Sequence, residues 1–180
     1  MAVDRRYFID VFGDIVNEVR KVYDPIGLEK PYYLYGHPID ITKQLKLLDG
    51  STERFKKYPL VCLLLDLPKN IDGSFAYQYS VSPTVLVLSE TEPSYISSER
   101  TETTFKPILY PIATELLNQI NKSEHLQFKH IGNNYSWDDK YFWGMQGIKM
   151  RGYEGNIFNE YLDGIELNFT DLRVLNNNCI

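Results

Sequence analysis

Catalysis needs side chains that titrate, ligate or attack, and this chain holds few at useful spacings. Its histidines are His37, His125 and His130. A zinc site draws on Cys, His or carboxylate ligands in short sequence pairs, and "HLQFKH" offers His125 and His130 without such partners. On a strand, a separation of five residues turns those two rings to opposite faces. The carboxylates have a better pattern. Asp66 closes an apolar run, and Asp163 and Glu166 sit within "YLDGIE". Acids gathered at strand ends can hold a divalent cation for phosphodiester hydrolysis, although strand-end acids are also common turn residues. No nucleophile-elbow serine, phosphate-cradling glycine loop or Cys–His pairing is present. The residues therefore assign no catalytic or metal-ligating set and no cofactor. A metal-dependent phosphodiesterase built on Asp66, Asp163 and Glu166 is the enzymatic alternative.

Composition narrows the field further. At 180 residues the chain is expected to form one domain spanning 1–180, and a domain near that length buries roughly 70% of its unfolded surface. Lys and Arg number 19 against 24 Asp and Glu, a formal net charge of −5. That balance argues against a surface made to hold nucleic-acid phosphates. The nearest basic run, "RFKKY", is short. Two cysteines, Cys62 and Cys179, make no disulfide framework. Cys62 lies inside "PLVCLLLDL" and reads as a small apolar core residue. The N-terminus lacks a signal-peptide apolar region, and no apolar run reaches membrane-spanning length. A reduced, intracellular protein with no membrane partner is expected.

The elements that would position these residues follow from periodicity. From Asp4 to Tyr23, Phe8, Phe12, Ile15, Val19 and Val22 step by four and three, as in an amphipathic helix that "DPIG" ends. Gly36 and Pro38 interrupt the aromatic stretch "PYYLYGHPIDI", and "ITKQLKLLDG" predicts one or two helical turns stopped by Gly50. Six consecutive apolar residues, Leu60 to Leu65, predict a central strand covered on both faces. Alternation over 75–87 predicts two strands or one strand bulged at Pro83. A short strand is expected at "LQFKHI". In "YLDGIELNFTDLRV", Ile165, Leu167 and Phe169 share one parity while Leu172 and Val174 take the other, so a bulge is expected near Thr170 and Asp171.

The cleanest amphipathic segment is Ser97 to Ile120, with Phe105, Ile108, Leu109, Ile112, Leu116 and Ile120 on one face. Ser97 or Ser98 is expected to cap it. Its interior holds Pro107 and Pro111, and an interior proline costs about 3 kcal/mol. The segment must bend there to wrap a curved sheet, or begin with an irregular lead-in ending before Ile112.

Gly132 to Glu160 fits neither period. Five glycines punctuate it, and it carries both tryptophans. A long connection with little structure of its own is unusual in a compact domain unless it has a task. Tyr135, Trp137, Tyr141, Phe142, Trp143 and Tyr153 are the candidate protein-interface residues, because large aromatic rings carry interface energy. Capping the open end of the core is the alternative use of these rings, and a monomeric sugar- or peptide-binding platform is a third. The fold class expected is α+β: a mixed, mostly antiparallel sheet, two amphipathic helices packed on it, and this excursion before the last strand.

In that order of elements the chain resembles the small neck proteins of tailed bacteriophages, the tail terminators, tail-completion proteins and head–tail connectors. "YFIDVFGDIVNEVRKVY" is similar to their N-terminal helix and "TTFKPILYPIATELLNQI" to the helix laid across their sheet. The likeness covers most of the chain in element order, and the 132–160 excursion departs from it. The resemblance implies a non-enzymatic virion protein, made in the host cytoplasm. It also implies a homo-oligomeric ring, hexameric or dodecameric, stacked between portal and tail. Its partners would be the portal and the other neck and tail proteins, and its acidic lumen would let DNA pass without specific binding.

Overall fold

The computed structural model describes residues 7–23, 30–49, 57–65, 69–71, 78–128, 134–143 and 160–175. Asp66, His130, Tyr153 and Cys179 lie outside them. The elements are α1 (Phe8–Tyr23), β1 (Tyr32–Gly36), α2 (Pro38–Asp49), β2 (Leu60–Leu64), β3 (Lys69–Ile71), β4 (Gln78–Val81) and β5 (Thr84–Glu90). There follow α3 (Ser97–Arg100), a π-helical stretch (Thr101–Leu109), α4 (Tyr110–Lys122), β6 (Leu126–Phe128), β7 (Tyr135–Lys140), β8 (Leu162–Phe169) and β9 (Leu172–Leu175). The class is α+β, with mixed, mostly antiparallel sheets.

The described strands form two sheets where one was expected. The larger runs β1-β2-β5-β8-β7 and the smaller β3-β4-β9-β6. Among the described residues only β1 and β2 pair in parallel. One long antiparallel ribbon passes through both sheets: β5 pairs with β8 in the first, and β4 pairs with β9 in the second. It turns its corner at Ser82–Pro83 on one side and Thr170–Asp171 on the other. There Phe169 N–H donates to the Pro83 carbonyl at 2.9 Å and Asp171 N–H to Ser82 Oγ at 3.3 Å. Asp171 takes a left-handed φ of 52°. The parity change between Phe169 and Leu172 is the expected irregularity, and its effect is to move the strand from one sheet to the next. All of Ile165, Leu167, Phe169, Leu172 and Val174 then reach the same core.

That core lies on one face of the large sheet, under α1 and the long helix, with Val61, Leu63, Val85 and Val87 from the strands. The opposite face carries a second cluster, Leu34, Ile41, Leu45, Leu60, Cys62, Leu86, Leu88 and Leu162, covered by α2. Strand β2 is thus apolar on both faces, as its six-residue run predicts, with Cys62 1% exposed. Helix α2 is longer than expected because Pro38 starts it instead of breaking a strand. His37 precedes it and accepts the Ile39 N–H at Nδ1, 3.3 Å, which gives this histidine a capping role. In α1 the buried stripe includes Val11, Val16 and Tyr23, whereas Val22 is 46% exposed.

The two prolines fall where the long helix changes register. Over Thr101–Leu109 the helix is wound in wide π turns with Pro107 inside, and Tyr110 N–H reaches the Phe105 carbonyl, five residues back. An α-helical proline ring clashes with the carbonyl four residues earlier; the wider turn relieves that clash. Pro111 follows at the second residue of α4, where regular winding resumes. The irregular lead-in therefore ends before Ile112. The start of the helix differs from expectation: Ile96, not a serine, is the N-cap, and its N–H donates to Glu99 Oε2 at 2.9 Å.

Candidate functional site

The segment expected to be an unstructured arm begins as a regular strand. β7 pairs with β8 from Tyr135↔Phe169 to Lys140↔Gly164 and forms one edge of the large sheet. Its odd residues face the long helix. Tyr135 packs on Phe169 and Phe128, with ring centroids 5.9 and 6.3 Å apart. Trp137 meets Tyr110 at 6.0 Å, and Tyr141 meets Phe105 at 5.2 Å. Its even residues, Ser136, Asp138 and Lys140, face the other way, and Asp138 stands directly across from Glu166.

Asp139 is exposed, yet its carboxylate is held at both oxygens. Trp137 Nε1 donates to Oδ1 at 2.9 Å, and the Tyr110 hydroxyl donates to Oδ2 at 2.6 Å. That bond, ahead of burial and of the Asp139 charge, pushes the Tyr110 phenol up to about 12. The edge therefore presents Asp138 on one face and Asp139 on the other, the second locked by aromatic groups from two elements. Fixing such groups in advance lowers the side-chain entropy lost on docking.

Behind this edge lies a buried ion pair. Arg100 is 2% exposed and Asp163 0%. Arg100 Nη1 stands 3.0 Å from both Asp163 oxygens and 3.1 Å from Thr91 Oγ1. Its Nε donates to the Tyr95 carbonyl and its Nη2 to the Glu92 carbonyl, each at 2.9 Å. Asp163 Oδ1 also accepts the Phe142 N–H at 3.1 Å. The Phe142 ring lies 3.7 Å from the guanidinium carbon, on a backbone with φ of 49°. Charge, hydrogen bonds and cation–π contact thus tie the turn after β7 to the start of the long helix.

The predicted site residues separate accordingly. Asp163 is consumed by Arg100, and Glu166 lies on the opposite parity of β8, accepting from Asn168 Nδ2 at 3.0 Å. These two carboxylates do not converge. Among the described residues no group of three His, Cys, Asp or Glu side chains is placed to hold a metal. Tyr135 and Trp137 are half-buried against the core and Trp143 against the second cluster. Tyr141 remains 42% exposed. His125 lies before β6 in a recess beside α1. Cys62 is enclosed, and burial pushes its thiol well up.

Two signals in the sequence point to the missed ion pair. Asp163 shares the core parity of Ile165, Leu167 and Phe169, so a charge is aimed inward and needs a partner. Arg100 stands in the first turn of a helix, where the dipole disfavours a cation. Comparison with protein-family models, curated proteins and solved structures gives no match.

Proposed function

We propose that this chain is a non-enzymatic assembly protein, a subunit of a homo-oligomeric ring in the neck of a tailed bacteriophage, of the tail-terminator or head–tail connector type. The observation that carries this reading is the β7 edge, where Asp139 is held by Trp137 and Tyr110 beside the exposed Asp138. A carboxylate braced by aromatic groups on a sheet edge suits a specific protein contact, and aromatic residues are enriched at such contacts. The engagement of Asp163 by Arg100 weighs against phosphodiester chemistry at that carboxylate. No helix among the described residues is long and apolar enough to cross a membrane. In the proposed setting the ring stacks between portal and tail, and DNA passes through a lumen that does not bind it specifically.

Light scattering across a concentration series tests the reading. A discrete oligomer of the full chain, with ring-shaped particles by electron microscopy, is expected. A protomer-sized mass at every concentration would overturn it.

A further inference from the structure

A second charged surface lies away from the β7 edge. Helix α1 packs at β1, the other edge of the large sheet, with the Phe12 and Tyr33 rings 6.0 Å apart. Between α1, Lys30 and the residues after α4 runs a groove of about 690 Å³. It continues into a smaller recess of about 160 Å³ that reaches Lys122 and shares Asp14, Glu18 and His125 with it. Arg20, Lys21, Lys30 and Lys122 outnumber Asp14 and Glu18 along these walls. Lys21 is paired with Glu18 on its own helix. Arg20 and Lys122 have no acidic partner among the described residues, and the buried Nδ1 of His125 has no hydrogen-bond partner there.

The β7 edge has the opposite sign. Asp138 and Asp139 are exposed and Glu166 stands beside Asp138, with Lys140 the only cation on the strand. Asp138 and Glu166 stand directly opposite on neighbouring strands with Lys140 two residues along the same face, and like charges directly opposite are destabilising. Such an arrangement gains when a partner brings positive charge. We infer that copies of this chain meet head to tail, the acidic β7 edge of one copy against the basic α1–α4 groove of the next. The contact joins two different surfaces of the subunit, so it repeats from copy to copy and closes only as a ring. This rests on the ring reading and names the faces that would build it. Complementary charge steers such an encounter and fixes its register, and the contact weakens as salt screens it.

The test compares masses by light scattering for four full-length proteins: the natural chain, Asp138→Lys, Arg20→Glu with Lys122→Glu, and all three changes together. All substituted positions are at least partly exposed, and thermal melting checks that each variant folds. Each partial reversal is expected to raise the dissociation constant at least ten-fold. The triple variant should regain the oligomer, because a lysine edge then meets a glutamate groove. An oligomer indifferent to both partial reversals, or not restored in the triple variant, overturns this pairing of faces while leaving the ring. A natural chain that stays at protomer mass overturns both.

Discussion

Removing the carboxylate of Asp163 should be among the most damaging single changes in this fold. In Asp163→Ala the Arg100 guanidinium, 2% exposed, loses the one carboxylate partner it has among the described residues and keeps two carbonyls and one hydroxyl. Phe142 N–H loses its acceptor as well. Breaking one side of a buried pair costs about 3–5 kcal/mol, because the remaining charge stays desolvated. For a chain in this size range each kcal/mol lowers Tm by about 2–4 °C, so a fall of about 6–20 °C is expected. Thermal unfolding measures that fall and urea unfolding followed by tryptophan fluorescence the free-energy loss, with Trp137 and Trp143 flanking the affected turn. Replacing both partners, Arg100→Met with Asp163→Leu, removes both buried charges. The freed carbonyls belong to exposed Glu92 and half-buried Tyr95 and can turn to water. The double variant should therefore lose less stability than Asp163→Ala. A single-variant loss below about 1 kcal/mol, or a double variant worse than the single one, would refute this account of a desolvated pair.

Gly164→Ala should also destabilise, by about 1–3 kcal/mol, because an added Cβ meets Leu88 Cδ2 at 2.5 Å and the Val87 carbonyl at 3.1 Å in a filled core. Chemical denaturation reads that loss directly. At high pH the Tyr110 phenol should ionise late, near 12, because its hydrogen bond to Asp139 favours the protonated form. Its stabilising contribution is thus complete below the usual value of 10.0 and disappears as pH rises through about 12. Asp139→Asn should bring this titration back toward 10.0, seen as an earlier tyrosinate absorbance step.

Most of the scaffold is written in periodicity. The α1 stripe, the two-faced apolar run of β2 and the parity change between Phe169 and Leu172 each name an element and its buried side. The split into two sheets is not written there, because local pattern marks a break at Pro83 and at Thr170–Asp171 without saying that the two breaks meet. β7 was hidden for a related reason. Its pattern alternates aromatic and polar residues, but the glycines and unperiodic sequence after it mask six residues of strand. The π-helical winding around Pro107 is a tertiary solution to a local conflict, since the packed face of Phe105, Leu109 and Ile112 supports the wide turn that the Tyr110 N–H to Phe105 carbonyl bond closes. The Arg100–Asp163 pair joins residues 63 positions apart. Parity and the helix dipole mark each partner as needing a counterion, and neither identifies the other.

The bent ribbon bears on how the chain reaches this state in time. The segment from Leu162 to Leu175 forms ladders with β5, β7, β4 and β6. Until it docks, neither β7 nor β6 has a sheet neighbour among the described residues. Most of its pairings join strands far apart in sequence, and chains rich in such distant pairings pass a high entropic barrier and fold slowly. During synthesis the helices and β1–β2 can collapse early, but both sheets wait for the same late strand. A nascent chain halted before Leu162 would expose the unpaired flanks of β5, β7, β4 and β6 together, which makes completion of this one segment the step that separates a folded subunit from an aggregating one.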